Sequence, residues 1–150
     1  MDSEPSLATV DPCALDRAAL TLALASRLLE QALGDMTLPQ FRVLSVVASS
    51  PERASRIAER AAMSRPTLSG LLDGLAARGW VQRTDVDGDR RGVRLEVTPD
   101  GRAALAAARA HVAARLESLL DAADAFDRTA ALDGLAALGR ALDAHRMARR

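Results

Sequence analysis

Residues Ser64 to Gly70, reading Ser-Arg-Pro-Thr-Leu-Ser-Gly, place recognition chemistry on one short stretch. Arg65 carries a guanidinium that can pair with guanine O6 and N7 or with a phosphate. Thr67 and Ser69 carry hydroxyls suited to phosphate or base-edge hydrogen bonds. Gly70 removes a side chain, so that a groove can approach the backbone. Ser64 is a candidate N-cap, because its hydroxyl can accept from an unpaired first-turn amide. Pro66 then sits in a first turn, where its missing N–H costs nothing. Chemistry of another kind is missing: there is no phosphate-binding glycine loop, nucleophile elbow or His-Glu-x-x-His pattern. No catalytic residue, metal ligand or cofactor is therefore expected. His111 and His145 lack paired carboxylates at ligand spacing.

The elements that must position this stretch can be read on either side of it. Ser55 is a candidate N-cap for a short helix ending near Met63, and Ser64 starts the second, so the two make a helix-turn-helix. On the second helix Leu68, Leu71, Leu72 and Leu75 fall at helical spacing and face inward. Arg65, Pro66, Thr67, Ser69, Gly70 and Asp73 remain outside. A solvated helix face is the bland alternative. Arg78-Gly79 closes the helix, and Trp80 to Thr84 is expected as a strand with Trp80 as a core anchor. Asp85 to Gly92 is a polar turn. Val93-Arg94-Leu95-Glu96-Val97 alternates apolar and charged residues, as a half-buried strand does. Together these make a β-hairpin with Asp89-Arg90-Arg91 at its tip, and a helix-turn-helix followed by such a hairpin is a winged helix. Arg90 is placed for a narrow minor groove, where negative potential concentrates. Arg83 and Arg91 are further candidate DNA contacts. Asp89 is expected to structure the wing by accepting from Arg83 or Arg91.

The run Gly79-Trp80-Val81-Gln82-Arg83, the Asp89-Arg90-Arg91 tip and Leu95-Glu96-Val97-Thr98-Pro99-Asp100-Gly101 resemble the MarR family of bacterial transcription regulators. Leu38-Pro39-Gln40-Phe41-Arg42-Val43-Leu44 shares the resemblance. Two positions depart from the family pattern: Gly74 stands where a basic or polar residue is common, and Val86-Asp87 replaces the usual Asp-Pro. The resemblance implies a homodimer on double-stranded DNA, most often a repressor. It also implies a small aromatic or lipophilic acid as effector, near the junction of dimer helices and DNA lobes, with Phe41 and Arg42 as candidate contacts. Some relatives sense peroxides through a cysteine near the start of the first helix, using tyrosines to activate it. Cys13 holds such a position, but the chain has Tyr 0. A small apolar cysteine is the favoured reading, and a redox-sensing regulator its alternative.

Bulk charge neither supports nor opposes nucleic-acid binding, since 20 basic and 20 acidic residues cancel. Their distribution is informative. Arg53 to Arg94 holds 9 Arg against 5 Asp or Glu, a net +4, and the remainder carries −4. All 20 basic residues are Arg, which outside this segment reflects coding bias more economically than phosphate binding. A single cysteine excludes an intramolecular disulfide. No secretory or membrane-spanning run is present, and a cytoplasmic location is expected.

Outside the winged helix (about 37–98) lie two apolar helical regions, about 11–34 and 99–147. Asp11-Pro12 opens the first, whose Leu15, Leu22 and Leu29 recur every seventh residue while Leu20, Leu24, Leu28 and Leu33 widen the apolar surface. Thr37 and Gln40 form a capping-box pattern for the next helix, with Phe41, Leu44 and Val47 or Ala48 inward. Arg53-Ala54 is a candidate single sheet bridge. Thr98-Pro99 caps a long alanine-rich helix. Asp124 to Asp127 caps a last helix with Leu132, Leu135, Leu138 and Leu142 on one face. These leucine faces have no role within one winged helix, so a dimer built from both chain ends is expected. The fold class is mainly α with a small β-hairpin wing, in a single unit spanning 1–150. The rival function is a dimeric winged-helix protein-interaction module without DNA binding.

Overall fold

The helix starts are set by residues immediately before them. In the computed structural model, which describes residues 11–49, 52–61, 63–85 and 93–148, α1 spans Pro12–Ala32. Asp11 Oδ1 accepts from the Cys13 N–H at 3.0 Å, which satisfies one orphan donor of the first turn. The helix ends at Leu33, and Gly34 takes φ 61, a left-handed conformation open to glycine at little cost. α2 spans Leu38–Ser49. Both arms of its capping box are made: Thr37 N–H donates to Gln40 Oε1 at 3.0 Å, and Gln40 N–H to Thr37 Oγ1 at 3.3 Å. Its buried residues are Val43, Leu44 and Val47. Phe41 is only half-buried and Ala48 is exposed, so the helix is rotated from the expected face and presents an i, i+1, i+4 arc to the core.

β1 (Glu52–Arg53) leads directly into α3 (Ala54–Ala61). This corrects two expectations. Ser55 falls inside the helix and is not its N-cap, because the chain leaves the sheet with no linker in which a cap could sit. The sheet bridge also lies one residue earlier, with Glu52 opposite Leu95 and Arg53 opposite Arg94. α4 spans Arg65–Ala77. β2 (Val81–Asp85) and β3 (Val93–Val97) pair antiparallel, with Val81 opposite Val97 and Asp85 opposite Val93. Asp85 therefore belongs to the strand, while Trp80 precedes it. The sheet order is β1-β3-β2. Asp89, Arg90 and Arg91 lie outside the described residues.

α5 (Pro99–Leu120) is capped by Thr98, and α6 (Ala125–Ala148) by Asp124, whose Oδ1 accepts from the Asp127 N–H at 2.8 Å. The core sits where α2, α3 and α4 meet the sheet: Val43, Leu44, Ile57, Leu68 and Leu75 are fully buried, and α5 adds Leu105 and Ala108. Leu33 and Met36 pin the turn after α1 into that core. The helical arms are different. No residue of α1 is buried, and Leu15, Leu20, Leu24, Leu135 and Leu142 are all exposed. No helix among the described residues is long and apolar enough to cross a membrane.

Candidate nucleic-acid interface

Every inward leucine of α4 is anchored. Leu68, Leu72 and Leu75 are buried and Leu71 is half-buried, and each full burial contributes about 1.5–3 kcal/mol. The opposite face is thereby held outward, with Arg65, Pro66, Thr67, Ser69, Gly70 and Asp73 all exposed. Ser64 works as the N-cap: its Oγ accepts from the Thr67 N–H at 3.3 Å and lies 2.7 Å from Thr67 Oγ1. Its hydroxyl is thus partly committed to the helix start, and Thr67 keeps the outer position. A Cβ built on Gly70 meets nothing within 4 Å, so that flank is open to an incoming surface. The first turn also carries no acidic residue to repel a phosphate from the positive end of the helix dipole.

The end of α4 is as well defined as its start. Gly79 takes φ 71, its N–H donates to Ala76 O at 2.9 Å, and the Trp80 N–H donates to Leu75 O at 2.9 Å. This Schellman pair stops the helix and turns the chain into β2. Thr98 then clasps the junction to α5. Its Oγ1 donates to Gly79 O at 2.6 Å and accepts from the Gly101 N–H at 3.0 Å, while its own N–H donates to Trp80 O at 3.1 Å. A Cβ on Gly101 would stand 2.1 Å from Trp80 O, so only glycine fits that approach. The Thr-Pro-x-Gly run is therefore the joint between α4 and α5.

The remaining expected site residues divide. Arg83 Nη2 donates to Asp73 Oδ1 at 3.0 Å, which ties β2 to the outer face of α4. By sequence Asp73 is only an exposed helix residue, and Asp89 is the expected acceptor for Arg83 or Arg91. Sequence spacing gives no sign of this pair, because it depends on how β2 crosses α4. Both partners are more than half exposed, so the pair contributes at most about 1 kcal/mol. Arg42 Nη2 donates to Ala61 O at 2.6 Å, holding the carbonyl end of α3 beside the turn into α4. Phe41 packs against the core beside it. Arg90, Arg91 and Asp89 lie outside the described residues. Cys13, His111 and His145 are all exposed, and no group of three metal-ligating side chains occurs among the described residues.

Comparison with known proteins places this geometry among relatives. A family model described as "MarR family" matches residues 34–92. YfiV of Bacillus subtilis, an uncharacterized HTH-type transcriptional regulator, is 30% identical over 110 residues, which cover 73% of this chain and 69% of that protein. The transcriptional repressor CouR bound to a 23-mer DNA duplex superposes with TM-score 0.70 at 30% identity, over 91% of this chain and 99% of that one. Wild-type apo MarR from E. coli superposes with TM-score 0.72 at 26% identity, over 89% and 98% of the two chains.

Proposed function

The chain belongs to the MarR family, whose members regulate transcription and are not enzymes, and on that premise we propose that it reads a palindromic DNA operator as a homodimer. The observation that carries this reading is the split of α4. One face is locked into the core by Leu68, Leu72 and Leu75, and the other offers Arg65, Thr67, Ser69 and Gly70 to a major groove. CouR, at 30% identity, is a repressor captured on a DNA duplex. Repression is accordingly the proposed outcome of binding, by occupation of the promoter.

The dimer reading is supported by apolar surface that one chain leaves uncovered. Leu15, Leu20, Leu22 and Leu24 on α1 and Leu132, Leu135, Leu138 and Leu142 on α6 are 39–61% exposed. Faces of this size are rare on a monomer in water and mark association. Twofold pairing through the chain ends sets two α4 helices about 34 Å apart, one turn of B-DNA. Arg90 and Arg91 of each wing would then meet the flanking minor groove. A small aromatic or lipophilic acid bound near Phe41 and Arg42 would shift the population toward a spacing that fits DNA poorly.

Selection of DNA fragments from a randomised pool by the purified protein tests the reading. Enrichment of an inverted repeat is the expected result, with log affinity falling linearly against log salt as counterions are released. Failure to enrich any duplex, with sedimentation still showing a dimer, would replace it with a protein-interaction module. Hydroperoxide added to the selected complex tests the Cys13 alternative directly.

A further inference from the structure

Arg78 is the C-cap residue of α4, and its side chain reaches away from its own helix in two directions. Its Nη1 donates at 3.0 Å to the carbonyl of Asp35, in the turn that follows α1. The guanidinium carbon Cζ also lies over the Trp80 ring, 4.7 Å from the centroid. The Trp80 carbonyl in turn accepts from the Thr98 N–H and abuts Gly101 of α5. One side chain thus joins the end of the reading helix to both arms: to α1 through Asp35, and to α5 through Trp80. Asp35 itself is exposed, but Leu33 and Met36 on either side of it are buried, so the turn that carries the acceptor is anchored to the core.

We propose that Arg78 is a positioning residue for DNA reading, setting the angle at which α4 leaves the α1 turn and hence the separation of the two reading helices in a dimer. It rests on the DNA-reading dimer proposed above. Arg78 stands about 20 Å along α4 from Arg65, at the end away from the groove-facing first turn. It therefore acts on the angle of the helix and not on a base. An ammonium could still donate to Asp35, but it lacks the flat face that stacks on Trp80.

The experiment uses the full chain with Arg78→Ala and Arg78→Lys, and duplexes carrying the half-sites that the parent selects. Spacers are the selected length, one base pair shorter and one base pair longer. Arg78→Ala is expected to shrink the parent's preference for the selected spacing by about five-fold, the factor that one exposed hydrogen bond and one exposed stack carry at the low end of their ranges. The salt slope stays unchanged, and Arg78→Lys recovers part of the preference. Trp80 is the single tryptophan, so its emission reports the stack and should change in Arg78→Ala. A uniform affinity loss at all three spacings with a flatter salt slope would make Arg78 a phosphate contact and overturn the proposal. Unchanged spacing preference overturns it too, while leaving the DNA-binding reading intact. Unchanged Trp80 emission shows that the stack does not exist in solution and overturns the link to α5 on which the proposal rests. A parent that selects no duplex refutes the DNA-binding reading, and this one with it.

Discussion

Replacing Gly101 by Ala places a methyl carbon 2.1 Å from the Trp80 carbonyl oxygen, 2.8 Å from its carbon and 2.9 Å from Val97 Cγ1. A relaxed carbon–oxygen contact needs about 3.3 Å, so the start of α5 and the start of β2 must separate by about 1 Å. Two of the three close atoms are backbone and cannot rotate aside. Separation strains the Thr98 N–H to Trp80 O bond of 3.1 Å and the Thr98 Oγ1 to Gly79 O bond of 2.6 Å. Overpacking costs about 1–3 kcal/mol and each weakened hydrogen bond about 0.5–1.5 kcal/mol. The better helix propensity of alanine offsets at most about 1 kcal/mol. A net loss of about 3 kcal/mol is expected, lowering Tm by about 6–12 °C in a chain of this size. Gly70→Ala is the matched control, because its added methyl meets nothing within 4 Å. There the same substitution should stabilise by up to about 1 kcal/mol. Urea unfolding of both variants, at one protein concentration so that the proposed self-association cannot shift one midpoint against the other, measures the difference. A midpoint for Gly101→Ala equal to that of Gly70→Ala would refute the argument that a close backbone approach makes this glycine obligatory.

Four other perturbations test separate parts of the reading. Arg90→Ala should leave fold and dimer unchanged while costing about 1–3 kcal/mol at the selected operator. Its salt slope should flatten by about two phosphates per dimer, and an equal slope would remove the wing from the interface. Asp73→Ala should change stability by less than about 1 kcal/mol, since its pair with Arg83 is exposed. It should also tighten DNA binding, by removing a carboxylate from the reading face and freeing Arg83; weaker binding would mean that the pair holds β2 in place for DNA. Leu135→Asp with Leu142→Asp should yield a folded monomer in sedimentation, because both side chains are exposed in the single chain. A persistent dimer would move the interface off α6. Cys13→Ser should not alter DNA release by hydroperoxide, and a release that vanishes in the variant would establish redox sensing.

Local chemistry made much of this protein legible in advance. Asp11, Thr37, Ser64, Thr98 and Asp124 each sit immediately before the helix they start, and the caps bond within three residues. Such bonds need no tertiary context, so residue type and spacing suffice to find them. The inward leucines and outward polar face of α4 follow from helical periodicity, and the positive φ at Gly34 and Gly79 follows from the need to end a helix. Where the chain has no linker the same rules mislead. Ser55 resembles a cap, but sheet pairing of Glu52 and Arg53 brings the helix start forward to Ala54. The inward face of α2 keeps the expected Leu44 and Val47, but Val43 is buried there while Phe41 is only half-buried.

The sequence by itself determined where five of the six helices begin, which side of α4 faces out, and the family. Tertiary structure alone decided the partners of the arginines: Arg42 with the Ala61 carbonyl, Arg83 with Asp73, and Arg78 with Asp35 and Trp80. It also decided that Gly101 serves contact with Trp80 rather than a turn. The physical reason is common to all four. A cap is satisfied by atoms that the chain brings together over a few bonds, whereas these pairings join separate elements. Their geometry is set by the angles at which helices and strands pack around Leu44, Ile57, Leu68 and Leu75, and a long arginine donates to whichever carbonyl or carboxylate that packing leaves within reach.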